Sequence, residues 1–325
     1  MTILISIHSP FEMWTIPLSY VERLRNRFPA HRFLHARTDD EAQTMYPEAE
    51  AVFAGQITRQ QLAAATRLRW LHSPAAGVGG MLFPEMLASP VVLTNSRGMS
   101  ADTIAEHVLA VTLALFRRLP HAFRRQAAHE WAQDAIGAEG NRLIAGARVL
   151  VVGLGAIGGG VAQRMTALGA RVTGLRRRTA GSAHGPWTVA PASQLRDLLP
   201  AADVVVVAAP HTRETRGLIG RPELALMPRE AILVNVSRGQ VVDEPALVEA
   251  LRSRAIGGAA LDVFVEEPLS PDSPFWTLPN VLITPHTSGF RPDHWDAATD
   301  LFAENLERFD RGEPLVNVVD KKAGY

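Results

Sequence analysis

Four short stretches of this sequence hold residues whose types and spacing could do chemistry, and each follows an apolar run. The first is Gly153-Leu-Gly155-Ala156-Ile157-Gly158, between Ala147–Val152 and a helical run to Leu168. Gly-x-Gly-x-x-Gly between strand and helix is the pattern of a dinucleotide-binding turn. Its first glycine permits the tight turn, and its second lets the backbone approach a pyrophosphate. The third lets the helix pack closely on the strand, so that its N-terminal amides face the anion. The base that follows is read at the end of the next strand. There an acidic residue, roughly 20 residues on, would hold the ribose 2′-hydroxyl of NAD(H). This chain has Arg176, Arg177 and Arg178 instead. A guanidinium fork pairs with a phosphate, and no carboxylate stands there to repel one. NADP(H) is therefore favoured, and NAD(H) is left open.

The other three stretches are Val234-Asn-Val-Ser-Arg238-Gly, Leu261-Asp262-Val-Phe-Val-Glu-Glu267-Pro268 and Thr284-Pro-His286-Thr-Ser288-Gly289. Each ends a predicted strand, and ligands of an open parallel sheet sit beyond the carboxyl ends of its strands. An arginine, a glutamate and a histidine thus converge on one rim. They suit hydride transfer to a 2-oxo acid: a cation for carboxylate and carbonyl, a proton donor, and a carboxylate to tune that donor.

Elements of two kinds must position these groups. In the first part, Thr2–Ile7, Arg32–Ala36, Ala51–Ala54, Leu68–His72 and Val91–Thr94 read as strands, with Leu18–Phe28 and Thr58–Thr66 helical between them. A long helical stretch runs from Ser100 to about Ala128 and ends in a polar loop, Gln133–Gly146. A second alternation follows: Ala147–Val152, Arg171–Leu175, Val204–Ala208, Ile232–Val236, Gly258–Val263 and Val281–Thr284. Runs such as the four valines at 204–207 suit strands buried on both faces. The Pro-rich segment Val265–Asn280 reads as a loop between two strands, and a helix at about Asp293–Arg311 closes the chain. Strand and helix in alternation predict an α/β protein with two doubly wound parallel-sheet domains. The length of 325 residues agrees with two.

Composition removes other chemistries. Lys plus Arg and Asp plus Glu are each 33, so the net charge is zero and no global basic field would draw nucleic acid or a membrane. With no cysteine, disulfides, thiolate nucleophiles and cysteine-ligated metals are excluded. His31 and His35 have ligand-like spacing only on a helix and fall in a predicted strand, so no metal site is expected. The only lysines are Lys321 and Lys322. Schiff-base chemistry, a P-loop lysine and a Tyr-x-x-x-Lys dyad are therefore ruled out for the body of the chain. MTILISIHSP lacks the basic start and apolar length of a signal peptide, and no run approaches the roughly 18 residues of a membrane span. A soluble, cytoplasmic protein is expected.

The sequence resembles the D-isomer-specific 2-hydroxyacid dehydrogenase family over nearly its whole length. The match rests on GLGAIG at 153–158, NVSRGQVVDEPALVEAL at 235–251, ALDVFVEEPL at 260–269 and TPH at 284–286. Ala105-Glu-His107 and Ala76-Gly77-Val78 add to it. The resemblance implies a Rossmann-type cofactor domain, 99–289, inserted in a flavodoxin-like substrate domain, 1–98 and 290–325. It also implies a closing cleft and a homodimer. By motif, Arg238 would bind the substrate carboxylate and polarise its carbonyl, and His286 would give a proton to the carbonyl oxygen. Glu267, which directly precedes the proline, would keep His286 protonated near neutral pH. Asp262 would face the nicotinamide amide. Ala209, Pro210, Val236, Ser237, Ser288 and Gly289 would line the nucleotide, and the turn Ala76, Gly77, Val78 would offer N–H groups to the carboxylate. His107, on an apolar helix, reads as a satisfied core or interface residue. Trp131 and Trp295 are candidates for shaping dimer or pocket.

Relatives often have Asp or Asn after the Ala-Gly-Val turn, where this chain has Gly79-Gly80. Ser100 and Glu267 replace the Asn and Gln of formate-specific members. The expected reaction is NADPH-dependent reduction of small 2-oxo acids, of the glyoxylate or hydroxypyruvate type, to D-2-hydroxy acids. The alternatives are an NAD-linked dehydrogenase for bulkier substrates and a dinucleotide-sensing, corepressor-like binding protein.

Overall fold

The computed structural model describes residues 1–177 and 185–324, and Arg178 lies outside them. The chain divides into two compact units, Met1–Met99 with Arg291–Tyr325, and Ser100–Phe290.

The first unit is built on five parallel strands, β1 (Thr2–Ser6), β2 (Arg32–His35), β3 (Ala51–Ala54), β4 (Trp70–Ser73) and β5 (Val92–Asn95), in the order β2-β1-β3-β4-β5. That is the flavodoxin order. Side chains alternate across β1: Leu4 packs with Tyr46, Val52 and Leu71, whereas Ile3 and Ile5 pack with Val21, Leu24 and Phe302 on the other face. The terminal helix His294–Asp310 covers this second face. Its Phe302 stacks on Phe53 and Trp70 with ring centres 4.5 and 5.1 Å apart. Trp295 is buried there too.

The second unit carries seven parallel strands: β6 (Arg148–Val152), β7 (Arg171–Arg176), β8 (Thr188–Pro191), β9 (Val204–Val207), β10 (Ile232–Asn235), β11 (Gly258–Leu261) and β12 (Val281–Ile283). Their order is β12-β11-β10-β9-β6-β7-β8. All four valines of β9 are fully buried, alternately in the clusters on either face of the sheet. Sequence order reverses between β6 and β9, the kind of switch point at which such sheets leave a crevice for ligands. The helix Ala101–Phe116 packs on the glycine-turn helix Ala156–Ala167, where Gly160 leaves room for the Ala105 methyl.

Three expectations are corrected. The stretch from Ser100 to Ala128 is two helices, Ala101–Phe116 and Leu119–Ala127, separated at Arg118, whose φ is 58°. Pro120 has no N–H and would collide with the preceding turn, so the first helix stops short of it; in the first turn of the second it is tolerated. The loop at 133–146 contains the helix Gln133–Ala138. The edge strand β8 was not anticipated, because a strand of four residues ending in proline has little periodicity to show. Among the described residues no helix is long and apolar enough to cross a membrane.

Candidate active site

The glycine turn sits at the β6/β9 switch point. Gly153 has φ 100°, and a Cβ there would come within 2.6 Å of the Ala209 backbone. A Cβ on Gly158 would overlap the Gly153 carbonyl. Both glycines are thus required by the fold itself. Gly155 is not: a Cβ there would enter open space. Gly155 caps the helix Ala156–Ala167 without a side chain, so the amides of Ala156, Ile157 and Gly158 start the helix with no carbonyl before them to bind. An open space bordered by these amides fits a pyrophosphate. The N–H groups of Gly153 and Leu154 donate to the Leu175 carbonyl at 3.2 and 2.9 Å. Arg176 therefore stands one residue beyond the carbonyl that anchors the turn, with Arg177 exposed after it. On the β9 side, Pro210 is held where its carbonyl accepts the Thr215 hydroxyl at 2.6 Å.

Neighbouring strands β10, β11 and β12 lead into the loops that carry Arg238, Glu267 and His286. After β10, buried Asn235 accepts the Ser237 N–H and hydroxyl at 3.1 and 3.0 Å and donates to the Arg238 carbonyl at 3.2 Å. The Arg238 side chain is exposed, with Nη1 donating to the Ser237 carbonyl at 2.6 Å. A Cβ on Gly239 would overlap the Phe264 carbonyl carbon. This close approach draws the turn after β10 against the loop after β11. In that loop the Glu267 carboxylate uses both oxygens: Oε1 accepts the Phe264 N–H at 2.9 Å, and Oε2 meets His286 Nδ1 at 2.6 Å. Glu244 supports the loop by accepting the Val265 N–H at 2.7 Å. Burial and the neighbouring Glu267 charge push the Glu244 carboxyl up. Burial pushes the Glu267 carboxyl upward as well, but the bonds from His286 and Phe264, with the charges of His286 and Arg238, together hold it below the usual carboxylate range.

An ionised carboxylate only accepts, so Nδ1 of His286 carries a proton and Nε2 is the nitrogen left for chemistry. The His286 side chain is 47% exposed.

Asp262, expected to face the nicotinamide amide, is 1% exposed and turned onto its own loop. It accepts the Thr284 hydroxyl at 2.6 Å, the Thr287 N–H at 2.9 Å, and the Ser288 N–H at 3.1 Å. Val236, Ser237 and Ser288 are buried, and Gly289 lies against Ser100. The turn Ala76–Val78 belongs to the first unit. There Asn95 Nδ2 donates to the Ala76 carbonyl at 2.7 Å, and the N–H groups of residues 76–78 have no acceptor among the described residues. Such a run of amides suits an anion.

Residues 109–288 match the family described as D-isomer specific 2-hydroxyacid dehydrogenase, NAD binding domain. A glyoxylate reductase from Korarchaeum cryptofilum is 34% identical over 274 residues, covering 82% of this chain and 80% of that protein. The chain belongs to the D-isomer specific 2-hydroxyacid dehydrogenase family. It is therefore an NAD(P)-dependent oxidoreductase. A D-3-phosphoglycerate dehydrogenase from Methanocaldococcus jannaschii is 33% identical over 265 residues, 82% of this chain but only 50% of that one. Among solved structures, a D-isomer specific 2-hydroxyacid dehydrogenase from Xanthobacter autotrophicus Py2, in complex with NADPH and MES, is 30% identical. It has a TM-score of 0.85 and covers 100% of this chain and 99% of that one.

Several contributors to the enzyme's site escaped the sequence reading. Asn235, Gly239 and Glu244 act on the loop backbones and Thr284 through its hydroxyl on Asp262, contacts that motif spacing does not display. His211 directly follows Ala209-Pro210, and the Arg238 charge reaches it: burial first, then Arg216 and Arg238, push its imidazole down.

Proposed function

We propose that this enzyme reduces small 2-oxo acids of the glyoxylate or hydroxypyruvate class to D-2-hydroxy acids, with NADPH as the preferred donor. The observation that carries this reading is the Glu267–His286 pair at 2.6 Å, with Nε2 left for substrate and Arg238 on the next strand end. Arg238 binds the substrate carboxylate and draws electron density from the carbonyl. His286 gives its Nε2 proton to the carbonyl oxygen, while Glu267 balances the charge and fixes the ring. Gly153, Gly155, Ala156, Ile157 and Gly158 would hold the pyrophosphate, and Ala209, Pro210, Val236, Ser237, Ser288 and Gly289 would line the rest of the nucleotide. A bound reduced nicotinamide supplies the hydride.

Arg176 and Arg177, where a carboxylate would otherwise meet the 2′-hydroxyl, support NADPH, as does the NADPH held by the X. autotrophicus relative. The name of the K. cryptofilum relative supports a small substrate. The M. jannaschii relative favours a second reading, an NAD-linked dehydrogenase for bulkier acids. A homodimer is proposed from the exposed apolar side chains Leu119, Phe123, Trp131 and Leu143, with Trp131 91% exposed. Phe123→Glu is expected to give monomers in sedimentation velocity.

Cofactor absorbance followed with NADPH and NADH over a panel of 2-oxo acids tests the reading. Absence of turnover with every acid overturns it, and faster turnover with NADH at equal low concentration overturns the arginine argument. Arg176→Asp is expected to raise the KM for NADPH far more than that for NADH.

A further inference from the structure

His107 lies on the helix Ala101–Phe116, which packs against β10 and β11, and no role in the reaction is assigned to it above. Its Nε2 is 3.2 Å from Thr284 Oγ1, which is itself 2.6 Å from Asp262 Oδ1. A hydroxyl has one proton, and the short distance gives it to the carboxylate. Thr284 can then meet His107 only as an acceptor, so His107 carries its proton on Nε2. Burial pushes this imidazole down, against the Asp262 charge. The direction of donation is thus set along the whole chain, from His107 through Thr284 to Asp262.

The far end of that chain is the backbone of the catalytic loop. Asp262 accepts the Thr287 and Ser288 N–H groups, and its own carbonyl accepts the His286 N–H at 2.9 Å. His286 has φ 55°, a left-handed conformation that a residue other than glycine adopts only at a cost and that its surroundings must impose. The geometry points to His107 as a positioning residue for His286: by orienting the Thr284 hydroxyl it holds the Asp262 carboxylate in the pose that keeps residues 286–288 in place. This inference rests on the assignment of His286 as proton donor.

Two pairs of variants test it, with two readouts. His107→Leu removes the donor at similar volume, whereas the side-chain amide of His107→Gln can place an N–H where Nε2–H stands. The leucine variant is expected to lower kcat about tenfold with substrate and cofactor KM within about twofold. It should also speed amide exchange at Thr287 and Ser288 about tenfold. The glutamine variant should restore both. From the other end of the chain, Thr284→Val should reproduce the loss and Thr284→Ser should not. The double variant His107→Leu/Thr284→Val should be no worse than Thr284→Val alone, since both act through one path. A glutamine variant as impaired as the leucine variant, or losses that multiply, overturns the proposal. So does unchanged exchange at Thr287 and Ser288. Should His107→Leu fail to fold, the Thr284 pair decides alone, because equal behaviour of Val and Ser overturns the chain. If the wild-type enzyme reduces no 2-oxo acid, the functional reading fails, while the exchange readout still judges His107.

Discussion

Replacing Glu267 by Gln keeps the shape of the side chain and removes what the structure uses it for. Both carboxylate oxygens receive a proton donor, the Phe264 N–H at 2.9 Å and His286 Nδ1 at 2.6 Å. A glutamine amide has one oxygen and one NH2. With its oxygen toward His286 it confronts the Phe264 N–H with a second donor, and the loop must open. With its oxygen toward Phe264 it turns its NH2 to His286, which must then accept at Nδ1 and loses the carboxylate that would balance a charge on the ring. A charge-assisted hydrogen bond is worth about 1.5–3 kcal/mol, or about 10- to 150-fold in rate. The two side chains are 47% and 35% exposed, so solvent screening places the loss in the lower part of that range, about 10- to 50-fold in kcat. Glu266→Gln is the control, because Glu266 is exposed and only its neighbour bonds His286. The assay follows NADPH absorbance at saturating 2-oxo acid, with thermal unfolding of each variant alongside. A Glu267→Gln enzyme within twofold of wild type, or a Glu266→Gln enzyme equally impaired, refutes the reasoning.

Two further outcomes follow from the structure. Gly155→Ala should fold normally and raise the cofactor KM, because its methyl enters the open space assigned to the pyrophosphate. Gly158→Ala should lower the melting temperature, because its methyl meets the Gly153 carbonyl; the same response from both would count against the assigned space. Fully buried His72, whose pKa burial depresses to about 3, stays neutral in the folded state until the pH nears that value, while the unfolded chain takes a proton near 6.5. Its neutral form thus contributes stability above pH 6.5 that drains away as pH falls toward 3, about 2 kcal/mol by pH 5. Urea unfolding at pH 7 and pH 5 should show that extra loss in wild type and not in His72→Gln, and equal losses in the two would rule His72 out as its source.

Strands β1 to β7 and β9 to β12 were legible from short apolar runs, most plainly β9, whose four valines are buried on both faces. The glycine turn was legible because close backbone approach admits only glycine. Arg238, Glu267 and His286 were legible as rim residues, since each lies in the loop that follows one of these strands. What the sequence could not order was proximity in space. Strands 232–235, 258–261 and 281–283 are neighbours only because the sheet runs β10-β11-β12, and that adjacency is what brings His286 onto Glu267. Asp262 shows the other limit: its motif position gives no sign that its carboxylate accepts the Thr284 hydroxyl and the Thr287 and Ser288 N–H groups of the loop that carries His286. Hydrogen-bond direction and burial belong to the folded chain. Composition and spacing therefore determined which groups were available to this enzyme, and packing alone decided which of them lie exposed beyond the strand ends and which are buried and bonded to the loops.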